Sequence, residues 1–283
     1  MESYGGVARQ YCGQLGKRAN CQSLVSLTLA QGEVPMPVGL RLFLPEGWVT
    51  DAERCARAGV PPHAIPAAAR PQPWAAPQDA QMTSQAKGEI ALSELDRVVA
   101  AGVRFGTVLA DAGYGASAAF RHGLDARGLL WAVGIPKNQK FYGLNVQLVP
   151  PPGRARKPVP SEEPRAAEDV LAERPWRRVT WRQGTKGPLS AKFAAIRVRI
   201  ADGPVWDNNK HLPGKQAWLV GEWRSSGERK YYPATCRPAR RFALWLPPSR
   251  RAGCASKRTS SSRESWGWAT SRAGLGRGCI GTR

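Results

Sequence analysis

The chain has 283 residues, 42% of them hydrophobic, enough to bury a core in one large domain or two small ones. Lys and Arg number 42 against 21 Asp and Glu; the net charge of +21 favours polyanionic partners, nucleic acid first and anionic membrane second. The six cysteines form no Cys-x-x-Cys pair and there are only three histidines, which argues against a zinc site. No signal peptide and no apolar run near the roughly 18 residues of a membrane span is visible, so a soluble, cytoplasmic chain with reduced thiols and no membrane partner is expected.

Residues 1–20 are polar and rich in glycine. Cys21 to Ala30 and Val34 to Leu44 then alternate apolar and polar residues around Gln31-Gly32-Glu33, which predicts a β-hairpin. Pro35 and Pro37 confine the second strand to an edge or to irregular pairing at its start. Residues 60–84 are rich in Pro, Ala and Gln without periodicity and read as a loop or disordered insertion. Glu89 to Ala101 predicts a helix with Ile90, Leu95, Val98 and Val99 on one face and Gly102 as its stop.

The next block carries the most chemistry. An apolar run, Thr107 to Ala110, ends in Asp111 and the turn Ala112-Gly113-Tyr114-Gly115. A helical segment follows, Ser117 to Arg127, and then a second apolar run, Leu130 to Ile135. This order puts one carboxylate at the C-terminal end of a sheet strand, where open α/β sheets place their chemistry. A carboxylate there can equally serve as the N-cap of a helix.

Residues 150–175 form a second loose, Pro-, Arg- and Glu-rich region. Strands are predicted over Arg178–Arg182, Lys192–Ile200, Ala217–Arg224 and Lys230–Tyr232, the last two joined by Ser225-Ser226-Gly227. Arg178, Arg182, Lys186, Lys192, Arg197 and Arg199 lie among Trp176 and Trp181, which reads either as a surface for DNA phosphates or as a solvated strand face over core tryptophans.

The block Leu109-Ala110-Asp111-Ala112-Gly113-Tyr114-Gly115, with Gly6-Val7-Ala8-Arg9-Gln10-Tyr11, Gly16-Lys17, Asn20-Cys21-Gln22 and Arg41-Leu42-Phe43-Leu44-Pro45, resembles the DDE-type transposases of bacterial insertion sequences. Phe120 and Gly134 extend the likeness. The resemblance implies an α/β fold: an RNase H-like mixed sheet with flanking helices and a β-rich insertion. It implies DNA cleavage and strand transfer by three carboxylates that hold two Mg²⁺ or Mn²⁺ ions. Asp111 takes the place of the second carboxylate, as catalytic residue and metal ligand. Tyr114 takes that of the aromatic beside the DNA end. Tyr114, Arg178, Arg182, Lys186 and Lys192 are the candidate DNA-binding residues.

The family's first carboxylate lies just upstream of the Gly6–Tyr11 block, where only Glu2 is acidic. The third belongs on a helix after the insertion, with an Arg four residues before it and a Lys seven after. Residues 234–283 hold 11 Lys and Arg but one acid, Glu264, without that spacing. Re-reading Ser249 to Arg272 one nucleotide earlier, with free choice of synonymous codons, restores Arg, Glu and Lys in register. The expectation is therefore a transposase fragment, truncated at its N-terminus and frameshifted after Tyr232, with lost metal binding and no catalysis. Its parts would be a partial catalytic core (1–149), a β-rich insertion (150–233) and a disordered basic tail (234–283). The alternatives are a non-catalytic DNA-binding remnant that competes for transposon ends or dimerises with intact transposase, and a non-functional pseudogene product; a homodimer is a further expected partner state.

Overall fold

The computed structural model describes residues 5–12, 15–31, 34–60, 86–150, 157–184, 187–208, 210–235 and 267–269. The chain divides into two compact units, one of residues 1–29, 36–104 and 270–283, the other of 30–35 and 105–269.

In the first unit, β1 (Ala8–Cys12) and β2 (Lys17–Cys21) pair antiparallel, with Ala8 opposite Cys21 and Cys12 opposite Lys17. The polar segment at the start of the chain is thus structured: Cys12 and Cys21 bury one face of a two-stranded ribbon, too short a pattern to register as alternation. The predicted hairpin is present as β3 (Ser23–Gln31) beside β4 (Val34–Phe43). Two short helices follow, α1 (Glu46–Val49) and α2 (Ala52–Arg57), and close a core of Leu44, Trp48, Val49, Cys55 and Val60. Trp48 satisfies its indole by donating from Nε1 to Val7 O at 2.8 Å. Of the loose insertion expected over 60–84, Val60 is part of this core and the rest lies outside the described residues.

Helix α3 (Lys87–Ala100) follows the sequence signal, and Gly102 beyond its end has φ +78°. Its buried stripe is Ile90, Ala91, Glu94, Leu95 and Val98. Val99, expected on that face, is 48% exposed because it lies another 100° round the helix from Val98. The stripe instead includes a charge: Glu94 accepts from Arg41 Nε at 2.5 Å and from Arg97 Nη2 at 2.9 Å. Burial pushes the Glu94 carboxyl upward, but the hydrogen bonds and charges of the two arginines outweigh it and hold the group below its ordinary value.

The second unit begins with β5 (Val108–Ala110), α4 (Ala112–Gly115), α5 (Ala118–Ala126) and β6 (Trp131–Val133). β5 and β6 are parallel and in register from Val108 opposite Trp131 to Ala110 opposite Val133. Then come β7 (Lys140–Tyr142), β8 (Leu148–Val149), β9 (Val159–Pro160), β10 (Arg165–Ala166) and α6 (Ala167–Ala172). The second loose region therefore contains two strands and a helix among its described residues. Leu171 and Ala167 anchor it with wholly buried side chains, an apolar signal too brief to show a period.

Four further strands follow, β11 (Arg177–Gly184), β12 (Gly187–Asp207), β13 (Lys210–Arg224) and β14 (Arg229–Ala234), in the stretch read from sequence as a β-rich insertion. Successive members pair antiparallel. β12 and β13 run well past the predicted spans; register shifts from Arg199 onward, near Gly203, Pro204, Pro213 and Gly214, break the alternation that marks a strand. β14 also pairs with β6, which makes the sheet mixed. From Ala234 onward the described residues are Ala234, Thr235 and β15 (Gly267–Ala269), whose Trp268 pairs in parallel with Val108 of β5. The expected disorder of the other tail residues falls outside the description.

Candidate functional site

Asp111 stands directly after β5, as its sequence position predicts, with extended backbone and intermediate exposure. Its carboxylate Oδ1 accepts from Gly113 N at 2.9 Å, so it caps α4. The turn is fixed from below. Gly134 N donates to Ala110 O at 2.8 Å, and a Cβ on Gly115 would collide with Gly134 O and the Val133 side chain. A Cβ on Gly134 would in turn meet Ala112 N at 2.8 Å. The two glycines let α4 rest on the end of β6, which explains why the block ends in glycine.

Arg121 of α5 holds the far end of the turn. Its Nη1 donates to Gly115 O at 2.6 Å, and its Nε and Nη2 donate to Asp202 Oδ2 at 3.1 and 2.9 Å. The two side chains are 2% and 6% exposed, so a buried ion pair ties the Asp111 turn to β12. Neither residue stands out in the sequence, because an Arg in a helix and an Asp in a strand signal pairing only once the fold brings them together. A cavity of about 580 Å³ opens beside them, lined in part by Ala116, Asn138, Lys140, Lys210 and His211. His211 Nδ1 lies 2.8 Å from Gly203 O and therefore carries the proton towards that carbonyl. His122 is half exposed and 3.5 Å from Asp202, a surface position.

The other sequence-predicted residues separate. Tyr114, expected against a DNA end, is 6% exposed, and its ring packs on Phe120 with centroids 5.6 Å apart. Arg178 and Lys192 are both exposed and directly opposite each other on β11 and β12. Arg197 and Arg199 fall on the opposite face from Lys192 through the two-residue period of β12. There Arg197 donates to Gln216 at 2.7 Å and Arg199 to Gly214 O at 3.0 Å. The side chain of Arg182 and all of Lys186 lie outside the described residues.

The register opposes Lys192 to Trp223 and Trp223 to Arg229. Lys192 Nζ lies 4.9 Å and the Arg229 guanidinium 4.3 Å from the Trp223 ring centroid. Neither these two nor Arg178 is within 4 Å of a carboxylate among the described residues. Arg229 is the residue that sequence reasoning missed. It sits next to a turn, and only the strand register aligns it with Lys192.

Residues 3–188 match the family described as DDE superfamily endonuclease. No curated protein matches the chain significantly. No helix of the described residues is long and apolar enough to cross a membrane. With well over half of the chain inside the match, including the Asp111 turn, its glycines and the Arg121 that holds it, this protein belongs to the DDE superfamily of endonucleases.

Proposed function

We infer that this chain is a DNA-binding member of the DDE transposase group that does not cut DNA by itself. The observation that carries the reading is that Asp111 belongs to no cluster of metal-ligating side chains among the described residues. Nucleases of this superfamily typically use divalent metal ions, and two-metal chemistry needs several carboxylates converging on one place. Among the described residues no group of three or more His, Cys, Asp or Glu side chains could hold a metal ion. One Asp111 oxygen is engaged by the Gly113 amide, and the Asp202 carboxylate is engaged by Arg121. The described residues alone do not supply the donors that two such metals need.

DNA binding rests on the family and on Arg178, Lys192 and Arg229 of the β11–β14 sheet, which have no carboxylate within 4 Å among the described residues. Phosphates are the natural counter-charge for such a face. The test is nicking of supercoiled plasmid in Mg²⁺ or Mn²⁺ by the whole chain and by Asp111→Asn. The two are expected to be equally inactive while both retard DNA in a gel. Metal-dependent nicking that disappears in Asp111→Asn would overturn the inactive reading.

A further inference from the structure

We propose that the strip formed by Trp176, Trp223, Lys192, Arg229 and Arg178 is a binding site for unpaired DNA, in which a base stacks on the aromatic and guanidinium planes and its phosphates meet the flanking cations. The proposal rests on the DNA-binding reading above and specifies which form of DNA this face takes.

Strand pairing builds the strip. Arg178, Lys192, Trp223 and Arg229 are successive cross-strand partners, so their side chains share one face across four strands. Gly221, two residues before Trp223, lies on that face as well. A Cβ there would meet the Trp176 ring at 2.6 Å and Leu171 at 2.8 Å. The missing side chain lets Trp176 lie against the sheet, with its ring 5.8 Å from that of Trp223 at 80°. Arg229 reaches both, 4.3 Å from the Trp223 centroid and 6.0 Å from that of Trp176.

Both tryptophans are only partly buried, while Arg178, Lys192 and Arg229 are exposed. The acids near this end of the sheet are already paired. Glu222 is held by Arg224 on the opposite face, and Glu228 by Arg224 and Lys230. Among the described residues the strip therefore presents positive charge with no carboxylate within pairing distance. A stack of aromatic and guanidinium planes at a surface can add one further planar group. In a duplex the base faces are already covered by their neighbours, so a duplex can use only the cations. An unpaired strand can use cations and planes together.

The experiment measures affinity of the full chain for fluorescein-labelled oligothymidylate and for a duplex of the same length, roughly 20 nucleotides, at matched salt. Trp176→Ala leaves charge unchanged. It is expected to weaken single-strand binding roughly five- to tenfold and to leave duplex binding within about twofold. Arg229→Lys keeps the charge and removes the plane, and is expected to act in the same direction by a smaller factor. Because Arg229 is exposed, this variant reads the strip even if Trp176→Ala fails to fold. Equal losses on both DNA forms, or no loss on either, would overturn the stacking site while leaving DNA binding intact. Failure to bind either form at low salt would overturn the DNA-binding reading itself.

Discussion

The Asp111 turn and the β11–β14 strip lie in the same unit and treat charge in opposite ways. At the turn, Arg121 is enclosed and neutralised by Asp202, and Asp111 is capped by a backbone amide. On the strip, Arg178, Lys192 and Arg229 have no carboxylate within pairing distance among the described residues, and Lys192 and Arg229 lie against Trp223. A net charge of +21 describes neither arrangement. The cation enclosed with an acid ties two elements together, whereas the three without one face solvent.

The comparison breaks most visibly at Arg121. Arg121→Ala leaves Asp202 buried without its partner and is expected to cost about 3–5 kcal/mol in denaturant unfolding. A loss under about 1 kcal/mol would show that water reaches the pair.

Glu94 is the analogous acid of the other unit, with Arg41 and Arg97 half exposed. Glu94→Gln is expected to cost about 2–4 kcal/mol near neutral pH. The Glu94 group lies below its ordinary 4.5 when folded, so the unfolded chain binds more protons. Its contribution is complete above that range and fades as pH falls through the folded value. The Gln variant should accordingly lose less stability than the parent on acidification, read from midpoints at several pH values.

Gly115→Ala tests the support beneath the turn. The added methyl meets Gly134 O and Val133, and overpacking of this kind costs about 1–3 kcal/mol. The smallest stability effect belongs to the strip. Arg178→Gln with Lys192→Gln should change unfolding free energy by no more than about 0.5 kcal/mol. The same pair should lower the salt dependence of DNA binding by about one unit of slope per cation. A stability loss comparable to that of Arg121→Ala would place these cations with the structural ones.

Long periodic segments were legible from sequence: the β3–β4 hairpin, α3 with its glycine stop, and the run from β5 through Asp111 to β6. In each, one repeat of apolar spacing spans enough residues to stand above composition. β1, β2 and α6 were not legible, because each buries only one or two side chains. The reach of β12 and β13 was hidden by glycines, prolines and register shifts. Asp111 was legible as a positioned carboxylate, and the structure adds that it also caps a helix. The basic patch was only half legible. Sequence proximity grouped Lys192 with Arg197, but strand parity puts them on opposite faces and brings in Arg229 from two strands away.

The two facing glycines under the Asp111 turn also bear on its motion. The amides of Tyr114, Gly115, Ala116 and Ser117 all donate to backbone carbonyls of the same short segment. The Gly113 amide is held by the Asp111 carboxylate. A loop with its amides engaged in this way opens rarely, so slow hydrogen exchange is expected across 113–117. Asp111 is therefore a pre-ordered carboxylate: whatever meets it meets one fixed geometry, with little conformational entropy left to lose.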